Sequence, residues 1–477
     1  MLTFAQILVM HKLTFFLLFT ANILHAQYGV YTEQNLVYGT AVNYAGVTET
    51  LTLDLYKPIN DGNTSRPLLV LVHGGSWLNG CSAGMNWLAT RMCARGYAVA
   101  SVNYRKGWHK DDSVSNPFDT GVLYAADSAE VIRAMYRGSQ DVRGAIRWLK
   151  ARNGIDSTCK NTVLVGGESA GAYISLMVGL LDRTEEKPIT CGELPNAVTP
   201  QASLCQCYDL NCIQQNIGPL TPDELARPDL GPIDGTLNLN GENARVIGVI
   251  DLFGGLPAEA IPNNWLQGPD TPALYLYHQT CDGVVPFGYG IPTSTISANC
   301  NLGFTPWHTN LPHTVGSGSL ANYFATLPNP PLYTTDFLPC DPFNPALALF
   351  ECIRYSQNGA YHFAHNPDQR AEKIAMFFEP VIEGIDCQSV SASNPENNIS
   401  FEMWPNPFEE TLNLSSDQAI TELCLYDAMG RMVLRLNAEA RSGEHRWTGL
   451  PKLPSGVYVA VLHNQSGATG RKVVIRN

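Results

Sequence analysis

Basic residues are scarce in this chain. Its 477 residues include 30 Lys and Arg against 43 Asp and Glu, a formal net charge of −13. That balance repels phosphate backbones and anionic lipid, so nucleic acid and charged membrane surfaces are excluded as partners. Histidine is missing from the whole stretch between Glu185 and Asn243. The nearby Cys205, Cys207 and Cys212 therefore lack the histidine that would complete a common zinc set there. They are read as disulfide partners, and no metal or organic cofactor is expected. A membrane-spanning run is missing from the N-terminus as well: the apolar residues 13–19 fall well short of the about 20 that such a helix requires.

What residues 13–19 do fit is the core of a secretory signal peptide. Lys12 precedes them and Leu24-His25-Ala26 stands before Gln27, so residues 1–26 are expected to be removed, with Met10 as an alternative start. Thirteen cysteines suit the oxidising compartment to which such a signal leads. Their number is odd, and Cys424, isolated in the C-terminal region, is the expected unpaired thiol, leaving the upstream cysteines to pair.

Length leaves room for about two or three domains, and a hydrophobic content of 45% supports packed cores. Residues 37–44 and 50–56 read as an antiparallel hairpin, the second arm alternating polar and apolar. Residues 68–72, 97–102 and 163–165 are nearly unbroken apolar runs, the mark of parallel strands buried on both faces. Further strands are expected at 246–250, 273–277 and 332–337. Helical stretches separate them, the clearest placed after Asp141 as N-cap, with Val142, Ala145, Ile146 and Leu149 at helical spacing. The alternation implies an α/β class, a mostly parallel sheet flanked by helices, expected over residues 27–386. Two stretches, 185–243 and 287–330, show no clear periodicity and read as covers or binding loops. The polar run 387–400 reads as a linker. Closely spaced short strands over 401–477 describe a small C-terminal β-sandwich.

The chemistry centres on Gly167-Glu168-Ser169-Ala170-Gly171, which leaves the apolar run 162–165 and enters the helix-like run 172–177. A G-x-S-x-G between strand and helix is a nucleophile elbow, whose glycines permit the strained turn that lifts the serine Oγ clear of the sheet. A serine hydroxyl is a weak nucleophile and needs a base within hydrogen-bond reach, with an acid to orient that base. The acid is sought after the strand at 273–277, where Asp282 stands in His278-Gln279-Thr280-Cys281-Asp282-Gly283. Asp251, at the end of the preceding strand, is the second choice. The base must come later still. His308 and His313 precede the last strand, leaving His362, with His365 as its alternative; Gly359 gives the His362 loop freedom to turn its ring inward. Upstream, His73-Gly74-Gly75-Ser76-Trp77 directly follows the strand at 68–72. Its small residues let backbone amides approach a developing oxyanion. The amides of Gly75 and Ser76, with that of Ala170, are assigned to that oxyanion hole, and Gly74 to a hinge.

Four segments now carry a resemblance: Leu71-Val72-His73-Gly74-Gly75-Ser76-Trp77, residues 95–105, Gln140-Asp141-Val142-Arg143 with Trp148-Leu149, and the Ser169 pentapeptide. Over about residues 37–378 they resemble the carboxylesterase and feruloyl-esterase-like branch of the α/β-hydrolases. The resemblance implies an α/β-hydrolase fold and a serine carboxylic ester hydrolase that works through Ser169, His362, Asp282 and an acyl-enzyme. Ser76 departs from the pattern, standing where the oxyanion motif usually has a third glycine. Both aperiodic stretches fall where members differ in substrate, so small-molecule esters and acyl or feruloyl esters on plant polysaccharide are both expected substrates. A serine peptidase or amidase on the same fold is the alternative, although no propeller-like repeats supply peptide subsites. A non-catalytic adhesion protein would predict a broken triad.

The tail carries a second resemblance. Trp404-Pro405-Asn406-Pro407-Phe408, Leu425-Tyr426-Asp427-Ala428-Met429-Gly430-Arg431, Leu453-Pro454-Ser455-Gly456-Val457-Tyr458 and Lys472-Val473-Val474-Ile475 resemble the type A sorting domain of type IX secretion. This implies the type IX machinery as partner, and export from a Gram-negative cell to its surface or beyond.

Overall fold

The computed structural model describes residues 28–109, 127–198, 225–261, 271–300, 311–387, 401–405, 408–426, 432–454, 456–463 and 469–476. The signal-peptide reading, Cys205, Cys207, Cys212, His308 and nearly all of the linker lie outside them. The chain divides into two compact units, Met1–Gln388 and Ser389–Asn477.

The first unit is built on an eight-stranded sheet. Strands β1 (Gly29–Val42) and β2 (Thr48–Ile59) form an antiparallel hairpin. The others are β3 (Arg66–Val72), β4 (Ala98–Val102), β5 (Thr158–Glu168), β6 (Gly248–Leu252), β7 (Ala273–Gln279) and β8 (Tyr333–Leu338). They lie in the order β1-β2-β4-β3-β5-β6-β7-β8, parallel from β4 onward. The longer helices are α1 (Asn86–Cys93), α2 (Ser128–Ala151), α3 (Ala170–Leu180), α4 (Ser317–Thr326), α5 (Ala348–Gln357) and α6 (Pro367–Ile382).

The unbroken apolar runs follow from this layering. In β3, Leu68, Val70 and Val72 enter one core while Leu69 and Leu71 enter the other; in β7, Leu274 and Leu276 oppose Tyr275 and Tyr277. Helices α2, α3 and α4 close the first core, and α1 and α6 the second. A strand covered by helices on both faces has no solvated face to mark with polar residues.

Helix α2 corrects one expectation. It begins at Ser128, well before Asp141, and its cap is Asp127, whose side chain accepts the amides of Ala129 at 3.0 Å and Glu130 at 3.4 Å. Asp141 lies mid-helix, buried, with its carboxylate on the Arg105 backbone amide and guanidinium. The helix was hard to see because its buried face is full of cations. Arg133 donates to the carbonyls of Thr190, Gly192 and Pro228, Arg147 to those of Asp234 and Leu237, and Lys150 to that of Arg245. The two arginines hold the described parts of the aperiodic stretch 185–243, whose carbonyls have little regular structure to bond, and Lys150 holds the residue just beyond it.

The stretch 287–330 is more regular than expected. It contributes Tyr289–Gly290 and Thr314–Gly316 to a small antiparallel sheet with Gly255–Pro257, and it contains α4, which buries Leu320, Ala321 and Phe324. Cys424 is the thiol expected, but two upstream cysteines depart from the expectation that all of them pair. Cys159–Cys387, Cys281–Cys340 and Cys300–Cys352 are disulfides, and Cys424 is a buried thiol donating to Glu422. Cys93 and Cys191 are thiols too, each packed into an apolar core.

The second unit is a five-stranded antiparallel sheet of β9 (Phe401–Trp404), β10 (Thr411–Tyr426), β11 (Met432–Thr448), β12 (Gly456–His463) and β13 (Thr469–Arg476). Instead of closely spaced short strands, residues 411–426 form one long strand with register shifts near Ile420. β9 pairs with its first part and β12 with its second.

Candidate active site

Ser169 sits where β5 turns into α3, with φ 52° and ψ −123°. A non-glycine residue held there costs about 1–3 kcal/mol, so the surrounding structure must enforce it. The flanking glycines allow that enforcement. A methyl on Gly171 would strike the Val72 carbonyl, and one on Gly167 would strike the backbone of Gly171. The Ser169 amide is spent on the Leu252 carbonyl at 3.0 Å, which pins the elbow to the end of β6.

His362 comes from the loop between α5 and α6. Gly359, Ala360 and Tyr361 all have positive φ, at 55°, 53° and 57°, and together they turn the chain sharply before the histidine. His362 Nε2 lies 2.7 Å from Ser169 Oγ, and its Nδ1 lies 2.7 Å from Asp282 Oδ2. An ionised carboxylate only accepts, so Nδ1 carries the hydrogen and Nε2 is left to accept from the serine.

Asp282 lies in the loop after β7. Its Oδ1 accepts the amides of Val284 at 2.8 Å and Val285 at 3.0 Å. Burial pushes this carboxyl up, but the charge of His362 and the imidazole hydrogen bonds outweigh it and hold the group below its ordinary value. The alternatives are placed elsewhere. Asp251 is fully buried against Ser317, and burial pushes its carboxyl up. His365 is exposed, and its backbone amide donates to the Tyr277 hydroxyl.

The glycine loop after β3 passes directly over the elbow. A Cβ on Gly74 would come within 3.1 Å of Ser169 Cβ, so this glycine is required by close approach. The turn itself is made one residue later, which corrects the hinge assignment: φ is 112° at Gly75, 53° at Ser76 and 59° at Trp77. Trp108 Nε1 steadies the loop by donating to the Ser76 carbonyl at 3.0 Å. Among the described residues, the amides of Gly75, Ser76 and Ala170 have no acceptor within the protein.

Two neighbours of the site went unread in the sequence. Phe253 packs edge-on against the His362 ring at 4.7 Å between centroids, with φ 47°; its position after β6, just before Gly254-Gly255, was the available signal. Glu168, inside the pentapeptide, receives Trp87 Nε1 at 3.3 Å, and burial raises its carboxyl against the opposing charge of His362.

Residues 53–112, which contain β3, the glycine loop and β4, match the BD-FAE family, and residues 402–476 match the secretion system C-terminal sorting domain. The first unit has an α/β-hydrolase fold, and the chain carries a C-terminal sorting domain. Over 144 residues the chain is 26% identical to esterase LipC of Mycobacterium tuberculosis, an alignment covering 30% of the chain and 29% of that protein. The chain thus spans less than a third of the length of the curated relative it matches. Among solved structures, a truncated carbohydrate esterase from gut microbiota is 14% identical with a TM-score of 0.38, covering 74% of this chain and 97% of its own. Esterase 2 of Thermogutta terrifontis, phosphorylated by paraoxon, is 15% identical with a TM-score of 0.37, covering 76% and 97%.

Proposed function

We propose that this hydrolase is an exported serine carboxylic ester hydrolase. The observation that carries the reading is the line Ser169 Oγ, His362, Asp282, with 2.7 Å at each link. His362 Nε2 takes the Ser169 proton as Oγ bonds to the ester carbonyl carbon. The oxygen that gains the charge is received by the amides of Gly75, Ser76 and Ala170, each such donor contributing about 3 kcal/mol or more. Asp282 stabilises the imidazolium, which gives its proton to the departing alcohol oxygen as the acyl C–O bond breaks. Water, deprotonated by the same nitrogen, then cleaves the acyl-enzyme and restores the serine.

The sorting domain at residues 402–476 supports export to the cell surface or outside through the type IX machinery. The division near residue 388 supports a catalytic domain over residues 27–386, joined through a linker at 387–400 to the sorting domain at 401–477. The substrates we propose are acyl or feruloyl esters borne on plant polysaccharide, a reading that rests on the motif resemblance and on the export route. The test is a fluorophosphonate probe followed by peptide mapping. A single adduct on Ser169, formed in parallel with the loss of activity, is expected; rapid hydrolysis of p-nitrophenyl acetate by fully labelled protein would overturn the assignment. A panel of acetyl, long-chain acyl and feruloyl esters then ranks the substrates.

A further inference from the structure

Behind Asp282 lies a second polar chain that the proposed reaction does not use. His278 comes from β7, Asp251 from β6 and Ser317 from the first turn of α4, and all three are fully buried. His278 Nε2 lies 3.3 Å from Asp282 Oδ2, the same oxygen that serves His362, and 3.2 Å from the Val285 carbonyl. On the other side of the ring, His278 Nδ1 lies 2.8 Å from Ser317 Oγ, which is 2.7 Å from Asp251 Oδ2 and 3.4 Å from the Gly254 carbonyl. The remaining Asp251 oxygen accepts the Gly254 amide at 2.8 Å.

Counting donors and acceptors fixes where one hydrogen must be. A carboxylate and a carbonyl can only accept, so Nε2 between them must carry hydrogen. Two arrangements satisfy the rest of the chain. Either Asp251 is ionised, Ser317 donates to it and Nδ1–H donates to Ser317, or Asp251 keeps its proton, donates to Ser317, and Ser317 donates to a bare Nδ1. Both leave Nε2–H on the Val285 carbonyl and facing the Asp282 carboxylate 3.3 Å away, and both leave the Asp251–His278 pair without net charge.

We propose that His278 is a positioning residue: its Nε2–H shares the Asp282 oxygen with His362, and the buried Ser317–Asp251 pair locks the ring in that pose. The inference rests on the proposed ester hydrolysis and deepens it. Three polar groups in a core cost stability unless each is satisfied, and here each is satisfied by the next. The consequence for the reaction is electrostatic. A donor from His278 draws on the Asp282 charge and tempers its hold on the protonated form of His362. The other titratable neighbours are the phenols of Tyr173, Tyr277 and Tyr355 around Asp282, and the carboxyl of Glu168 beside His362.

The test is steady-state hydrolysis of p-nitrophenyl acetate across pH by the full-length protein and its His278→Asn, His278→Gln and Ser317→Ala variants. Asparagine reaches only the Nδ1 side, whereas glutamine places an amide donor near the Nε2 side. For His278→Asn, kcat is expected to fall about tenfold or more with KM little changed, and the acid limb of kcat/KM to move to higher pH. His278→Gln restores both in large part, and Ser317→Ala moves the limb the same way by less. A plain packing role would leave the acid limb where it is. Folded His278→Asn protein with the wild-type acid limb and kcat overturns the inference; if that variant does not fold, an unshifted limb in Ser317→Ala does so. Ser169→Ala separates the two claims: if it is inactive, the ester-hydrolase reading stands whatever His278 does, and if it is fully active, both fall.

Discussion

Gly283 donates its backbone amide to the Ala360 carbonyl at 2.9 Å, so the loop carrying Asp282 is bonded directly to the loop carrying His362. The acid loop is also stapled by Cys281–Cys340, adjacent to Asp282, and α5 by Cys300–Cys352. The first bridge closes a sequence separation of 59 residues. Replacing both of its cysteines with serine should cost about 4 kcal/mol on the chain-entropy account. Because the brace is shared, kcat should fall as well at temperatures where the variant is still folded. Thermal unfolding and kcat measured on the same preparation check both effects.

Gly74 makes a sharper prediction. Its Cβ position lies 3.1 Å from both Ser169 Cβ and the Glu168 carbonyl oxygen. Gly74→Ala should displace the loop or the serine by a few tenths of an ångström and lower kcat about tenfold to a hundredfold. The melting temperature should change little by comparison. Kinetics and a thermal melt separate the two.

The two candidate acids are separable by the same kind of experiment. Asp282→Asn removes the acceptor that fixes the His362 tautomer, and kcat should drop about 10³–10⁴-fold. Asp251→Asn should cost far less, because Asp251 does not touch His362. An equal loss in both variants would contradict the assignment of the acid.

A pH test comes from the edge of the sheet. Glu49 is buried, Asn43 Nδ2 donates to its Oε2 at 3.1 Å, and its Oε1 has no partner. Burial, partly offset by Asn43, pushes its carboxyl up to about 7. The folded state therefore binds this proton more tightly than the unfolded state, where the value is about 4.3. Ionising the group opposes folding, with a penalty that grows from about pH 4.3 to about 7 and stays constant above. Glu49→Gln should raise the melting temperature at pH 8, and the gain should vanish by pH 4. A gain independent of pH would contradict the argument.

Much of this molecule was legible in the chain. Both-face burial leaves an unmistakable trace in residues 68–72, and the elbow glycines are required by contacts that only glycine allows. The order serine, acid, histidine narrowed the site to Ser169, Asp282 and His362, and the structure brings those three side chains together. What stayed hidden was decided by long-range pairing. Nothing local to the arginines of α2 says that they will bond carbonyls some 57 to 95 positions away. Asp127 and Glu130 did carry a start signal for that helix, and Asp141 drew attention from it. The partners of Asp251 were equally invisible, since Ser317 lies 66 positions downstream.

The most direct measurement is kcat/KM for p-nitrophenyl acetate in wild-type protein and in Ser169→Ala. Ready turnover by the former and a loss of about 10⁴-fold or more in the latter are expected, with the thermal melt unchanged within a few degrees. Full activity in Ser169→Ala would contradict the proposed reaction.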